Sequence, residues 1–136
     1  MKILVVEPGR RPVQAELDGS LKVMQAVVGG CIQALYPFDD PVALICNEEG
    51  RLLGLPLNRG LRDANGALYD IVAGTFFLCG APPDSDRFES LPEELTAKYE
   101  KLFGTPELFL RIGGTLLCIP AGPLWGNKTR KGGYRL

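Results

Sequence analysis

The sequence contains no histidine in its 136 residues. The chain therefore lacks the imidazole base of Ser-His-Asp and Cys-His catalysis, and it lacks the commonest protein ligand of transition metals. An enzyme built on this chain would have to use carboxylates, lysine, tyrosine or a hard metal ion held by carboxylates. A metal-dependent carboxylate hydrolase is the catalytic alternative that stays open.

Paired cysteines are also missing. Cys31, Cys46, Cys79 and Cys118 are widely spaced and none belongs to a C-x-x-C pair, whereas metal sites usually show paired ligands. Each cysteine lies in or beside an apolar run, where a free thiol packs as a small apolar group. We expect reduced core cysteines, no metal site and no cofactor.

Excess charge of one sign is absent, since the formal net charge is −1. A general nucleic-acid binder carries a clear positive excess, so nucleic acid is not an expected partner. The exception is a basic, glycine-rich tail over residues 121–136, which is either a solvated terminus or an arm that contacts phosphate or a partner subunit. Its basic residues are Lys128, Arg130, Lys131 and Arg135.

Long hydrophobic runs are absent too. No stretch approaches the length of a membrane-spanning helix, and the apolar residues 3–6 are too few for a signal peptide and are followed by Glu7-Pro8-Gly9. We therefore expect a cytoplasmic protein with no membrane partner.

The hydrophobic pattern predicts an α+β fold. Residues 1–120 form a single domain, with a mostly antiparallel mixed sheet and two helices packed on one face. One helix covers 19–28, where Asp18 or Ser20 can cap the start and Gly29-Gly30 can end it; the other begins with a capping box of Ser90 and Glu93 and ends at Gly104. Strands are predicted over 2–6, 12–17, 31–36, 42–46, 52–57 and 69–80, with two more within 108–119.

Two stretches of the sequence bear on a possible site. The stretch "VALICNEEGRLLGLPL", residues 42–57, predicts a hairpin that turns at Gly50. The stretch "YDIVAGTFFLCG", residues 69–80, is the longest apolar segment and predicts one central strand.

Side chains suited to anion recognition cluster around the predicted hairpin. Arginine binds phosphate and carboxylate through paired donors, asparagine reads amide-like base edges, and aromatic rings stack on bases. The strand ends and the following loop would bring such groups together, and a threonine of the long strand adds a hydroxyl. The predicted site for a phosphorylated or nucleotide-like ligand consists of Tyr36, Phe38, Asn47, Asn58, Arg59, Arg62 and Thr75.

A second interpretation of the same residues stays open. Arg59 and Arg62 would pair with nearby carboxylates at the surface, and Tyr36 and Phe38 would belong to the rim of the core. The acidic pairs Asp39-Asp40 and Glu48-Glu49 lie in predicted turns, where adjacent carboxylates are more often solvated than catalytic.

Several segments together resemble a known family. They are "VGG" after the first helix, the "NEEG" turn, "GLPLNR", the "AGTFF" strand and the "SL…E…Y…F" helix. The chain resembles, over about residues 1–120, the family of domain of unknown function 3846, which is carried by phages and by Gram-positive bacteria with mobile elements. The resemblance implies a small accessory protein of mobile DNA and brings no activity and no site residues with it.

From this context we expect a non-enzymatic phage or mobile-element protein that binds and sequesters a small nucleotide-derived signalling molecule. Small chains often build such pockets between subunits, so a homo-oligomer is expected. The alternative is a protein-protein inhibitor or adaptor that acts on a host defence protein through the acidic pairs or Trp125.

Overall fold

A five-stranded antiparallel sheet forms the centre of the computed structural model, which describes residues 1–121. The α+β class and the antiparallel pairing are confirmed. The elements are β1 (Lys2–Val6), β2 (Val13–Glu16), α1 (Leu21–Val28), β3 (Ile32–Leu35), β4 (Val42–Asn47), β5 (Leu57–Arg62), β6 (Leu68–Ala73), β7 (Phe76–Gly80), α2 (Glu93–Leu102), β8 (Glu107–Ile112) and β9 (Thr115–Pro120).

The central sheet has the strand order β2-β1-β7-β4-β3. Leu78 of β7 lies opposite Leu4 of β1 on one side and Leu44 of β4 on the other. All residues of β4 and β7 are buried. Their sequences are continuous apolar runs, which are typical of strands covered on both faces.

The two helices pack on opposite faces of this sheet, so the prediction of one shared face is wrong. Side chains alternate along a strand, and β4 and β7 are apolar at nearly every position. Met24 and Val28 of α1 pack against one set of alternate residues, which includes Ile3, Ile45 and Phe77. Tyr99 of α2, with Phe103 beyond its end, packs against the other set, which includes Leu4, Leu44 and Leu78. Each apolar face therefore has its own helix.

The helix ends follow the sequence signals at α1 and depart from them at α2. Ser20 Oγ accepts a hydrogen bond from the Val23 amide at 3.2 Å, and Gly29 ends the helix with φ 80°. At α2 the predicted capping box is absent, because Ser90 Oγ accepts from the Lys2 amide at 2.8 Å and the helix begins after Pro92. Neither helix of residues 1–121 has the length and hydropathy needed to cross a membrane.

The predicted hairpin over 42–57 is wrong in its second strand. Residues 51–54 form a turn, and the next strand, β5, begins at Leu57 and pairs with β6 instead of β4. Both edges of β4 are already occupied, by β3 and β7. Gly50 remains important, since a Cβ there would lie 2.7 Å from the Ala73 carbonyl oxygen.

The predicted long strand over 69–80 divides in two. Gly74 adopts φ 82°, and the chain leaves β6 there and enters the central sheet as β7. β5 and β6 form a separate two-stranded sheet. β8 and β9 form a third sheet, also of two strands, which we call the β8–β9 ribbon.

Candidate functional site

Arg59 is a buried structural cation. Its side chain lies within β5, where the residue is 1% exposed. Nη2 donates to the carbonyl oxygens of Arg10 at 2.6 Å and Phe103 at 2.9 Å, and Nη1 donates to Asn58 Oδ1 at 2.9 Å. The guanidinium group thus joins the β1–β2 turn, β5 and the end of α2.

Asn58 completes the same network. Its Nδ2 donates to the carbonyl oxygens of Val6 and Gly74, each at 2.9 Å, and the residue is fully buried. It therefore ties the end of β1 to the corner where β6 gives way to β7.

Burial lowers the pKa of Arg59 to about 10, an effect that the nearby Glu107 carboxylate partly opposes. Arg59 is therefore still cationic at neutral pH. Its charge is met by carbonyl dipoles, and within residues 1–121 no buried side-chain nitrogen or oxygen lacks a hydrogen bond. The prediction that Asn58 and Arg59 present free groups to a ligand must be corrected, because their polar atoms are bonded inside the protein.

Asn47 also has an internal role. Its Nδ2 donates to the Val28 carbonyl at 3.2 Å, and its Oδ1 accepts from the Glu49 amide at 2.8 Å. It links the end of α1 to the turn after β4. Thr75 is partly buried at the β6–β7 corner, and Tyr36 is 64% exposed. None of these three side chains lines the pocket described next.

Phe38 and Arg62 are the two predicted site residues that line one pocket. Both line a pocket of about 150 Å³, which we call the Arg62 pocket. Phe38 and Phe103 form its apolar side, with ring centroids 6.1 Å apart. The pocket is bordered by Pro37, Leu61, Tyr69, Leu102 and Glu107 as well.

Glu107 closes one side of this pocket and was not predicted. Its Oε2 lies 3.2 Å from Arg62 Nη1, and its Oε1 accepts from the Gly60 amide at 2.6 Å. Glu107 opens an apolar run, and nothing local in the sequence links it to a strand 45 residues earlier. A tertiary contact alone brings it to Arg62.

Cys118 of the ribbon joins this group. Its thiol donates to Glu107 Oε1 at 3.0 Å, and Arg62 Nη2 lies 3.4 Å from the sulfur. Burial raises the pKa of the Cys118 thiol, and the Glu107 carboxylate raises it further. The protonated thiol is therefore a hydrogen-bond donor here rather than a thiolate nucleophile.

The cysteines carry no disulfide in the structure. Cys46 and Cys79 are buried, as expected, and burial raises the pKa of their thiols to about 11 and about 12. Cys31 is exposed, contrary to the expectation that it lies in the core. No group of three or more cysteine, aspartate or glutamate side chains within residues 1–121 is arranged to hold a metal ion.

Of the two acidic pairs, one residue is bonded within the fold and three are exposed to solvent. Asp40 accepts from Lys98 Nζ at 2.6 Å and from the Tyr99 hydroxyl at 2.7 Å, so it anchors the loop before β4 to α2. Asp39, Glu48 and Glu49 are exposed. Trp125 and the basic tail lie outside the described residues.

The Asp40 contacts predict a pH-dependent stability. The bonds from Lys98 and then Tyr99 lower the pKa of Asp40 from its ordinary value of 3.8. A depressed carboxyl pKa stabilises the fold above the unfolded-state pKa, and this contribution is lost as the pH falls through the folded-state pKa. We expect Asp40→Asn to lower the melting temperature at pH 7, and the difference from wild type to shrink once the pH drops below 3.8.

Melting curves measured by circular dichroism between neutral and strongly acidic pH check this. Asp39→Asn is the matched control, because Asp39 is exposed, and it should leave the curves unchanged. An Asp40→Asn deficit that stays constant into the acid range would contradict the ion-pair explanation.

Comparison with known proteins supports the resemblance noted in the sequence. The family described as "Domain of unknown function (DUF3846)" matches residues 1–104, which end just before the β8–β9 ribbon and short of the 120 residues expected. Neither a curated protein nor a solved structure matches the chain. Because the match covers most of the sequence, the chain belongs to the DUF3846 family.

Proposed function

We propose that this protein is a non-enzymatic binding protein, and that the Arg62 pocket receives one apolar side chain of a partner protein. The observation that carries the proposal is the size and lining of the pocket. A pocket of about 150 Å³, lined mainly by apolar and aromatic residues beside Arg62 and Glu107, has room for a benzene-sized group, whereas pockets for whole small molecules run from about 300 Å³ upward.

The rim of the pocket suits protein recognition. Tyr69 is 55% exposed and Leu102 is 59% exposed, so two large apolar side chains border an opening whose floor includes Phe38. Binding hot spots combine such an anchor pocket with aromatic and arginine side chains around it. Arg62 and Glu107 add one charge of each sign at the same rim.

The proposed function is closer to the inhibitor or adaptor role expected from the sequence than to the sequestration of a small ligand. The resemblance to a phage and mobile-element family makes a host defence protein the first partner class to test. A non-enzymatic role also agrees with the chemistry of the pocket, because its carboxylate, Glu107, accepts from three donors, one of which is the protonated Cys118 thiol beside the pocket.

The test is a peptide library displayed on phage and selected on the full-length protein. We expect the selected peptides to share one apolar or aromatic anchor residue. Leu102→Ala and Tyr69→Ala should each weaken their binding by about 2 kcal/mol, or roughly thirtyfold in Kd, as hot-spot truncations do. Calorimetry or interferometry would measure this.

Leu52→Ala is the matched control. Leu52 is 83% exposed in the turn after β4 and does not line the pocket, so its removal should leave Kd unchanged. Selected peptides without a common anchor, or peptides that bind Leu102→Ala as well as wild type, would refute the proposal.

A nucleotide-derived ligand remains a second candidate because of one observation. The partly exposed Arg62 guanidinium and the exposed Tyr69 ring border the same pocket. This candidate requires a rise in melting temperature with cyclic or ADP-ribose-like nucleotides, lost in Arg62→Gln, and recovery of the nucleotide intact after denaturation. A flat thermal-shift panel would remove it and leave the peptide test untouched.

A further inference from the structure

The β8–β9 ribbon carries an apolar face that nothing in the described chain covers. Cross-strand partners in an antiparallel pair share a face. Leu108 lies opposite Ile119, Leu110 opposite Leu117, and Ile112 opposite Thr115. We call this set the outer face, and its five large aliphatic side chains are between 39% and 60% exposed.

The opposite face of the ribbon contacts β5. Glu107 and Cys118 belong to it by alternation, and they bind Arg62 and the Gly60 amide of β5. Because alternate residues point to opposite sides, the outer face is turned away from β5. The aliphatic side chains are therefore not needed to seat the ribbon on the domain.

The exposed area of the outer face approaches the area that a protein–protein interface needs. Five aliphatic side chains at these exposures present on the order of 450 Å², within the range of the largest apolar patches on monomers, which are often functional. Two such faces packed together would remove at most roughly 900 Å² from these five residues, just below the ~1,000 Å² that a specific interface needs. Contacts of neighbouring residues such as Thr115 would supply the remainder.

We propose that a second copy of this chain covers the outer face, with the two ribbons packed across a two-fold axis. The face offers only aliphatic groups and the hydroxyl of Thr115, so it has no charge with which to select a different, complementary partner. An uncharged aliphatic surface also carries no like charges that would repel a second copy of itself, and a two-fold interface brings the same patch of both copies together.

The edges of the ribbon are also open to another chain, although packing of the two faces does not itself pair them. Within residues 1–121, β8 and β9 pair only with each other, so the outer edge of each strand keeps unpaired backbone donors and acceptors. Such edges readily pair with another chain. Contact between copies would also hold in place the ribbon that carries Glu107 to the Arg62 pocket.

Sedimentation equilibrium of the full-length protein over a wide concentration range tests this. We expect wild type to approach twice the 14.8 kDa mass of one chain as concentration rises. Leu110→Lys combined with Leu117→Glu places opposite charges on a cross-strand pair, which keeps the ribbon paired while making its face polar. This variant should be monomeric, with self-association weakened by roughly a hundredfold or more.

The matched control is Leu52→Lys combined with Leu53→Glu, which introduces the same charges on exposed leucines away from the ribbon and should leave the dimer intact. Melting temperatures in dilute solution check that each variant is folded. Should the double ribbon variant fail to fold, Ile112→Lys at the 60% exposed end of the face takes its place. Wild type that stays monomeric, or a dimer that survives the ribbon substitutions, would overturn the proposal.

Discussion

Arg59→Ala is expected to lower the free energy of unfolding by about 3–5 kcal/mol, the range seen when a buried polar network loses its central member. The substitution removes a 1% exposed side chain and the donors to the carbonyl oxygens of Arg10 and Phe103. Those buried acceptors then lose their partners, and a cavity remains between β5 and α2. Relief from burying a charge offsets only part of this loss.

The effect should be visible as a fall in melting temperature of roughly 10–20 °C, from the scaling of melting entropy with chain length. Urea titration provides the free energy. Arg59→Lys should lose more than half as much as Arg59→Ala, because one ammonium group cannot reproduce a planar fork that spans three segments.

Arg51→Ala serves as the matched control for Arg59. Arg51 is exposed in the turn after β4, and its removal should change stability by no more than about 0.5 kcal/mol. If Arg59→Ala were equally mild, Arg59 could not be a structural cation, and a role in ligand binding would have to be considered again.

Asn58→Leu is expected to destabilise the protein by about 2–4 kcal/mol, because two buried carbonyl groups lose their donors. These carbonyls belong to Val6 and Gly74, at the end of β1 and at the β6–β7 corner. Leucine has the same number and branching of side-chain heavy atoms, so the loss reports mainly the hydrogen bonds, with a smaller contribution from fitting its bulkier methyl groups. Differential scanning calorimetry or urea titration would measure it.

Two comparisons make this result specific. Asn65→Leu changes an exposed asparagine in a turn and should be nearly neutral. The double variant Asn58→Ala with Arg59→Ala should lose less than the sum of its single variants by about 1 kcal/mol or more, since the two side chains share a hydrogen bond. Additive losses would show that the pair does not act as one network.

Much of the fold was predictable because its signals are local. Ser20 and Gly29 begin and end α1 as their residue types indicate, and the apolar runs of β4 and β7 occupy the middle of the sheet. The apolar runs of β4 and β7 also indicate that the two helices pack on opposite faces of the sheet. Strands that are apolar at every position require cover on both faces, and the assignment of both helices to one face neglected this.

The candidate site was predictable only in part, because residue type does not reveal whether a polar side chain lies in the core or at the surface. Asn58 and Arg59 have donor groups suited to a ligand, but β5 places both residues in the core. There their donors bond to backbone carbonyl oxygens instead of a ligand. Phe38 and Arg62 do reach a shared pocket. Their neighbour Glu107 arrives from a ribbon that no sequence pattern connects to β5.

The amino-acid sequence by itself determined the α+β class, the buried strands, the limits of α1 and the absence of imidazole chemistry, since each depends on composition or on residues a few positions apart. The tertiary structure alone decided that Arg59 is structural, that Arg62 meets Glu107 and that the ribbon exposes an aliphatic face. These outcomes depend on groups 44 to 56 residues apart. Burial and hydrogen-bond satisfaction are properties of the packed chain, and a polar side chain acquires its role only when packing supplies its partners.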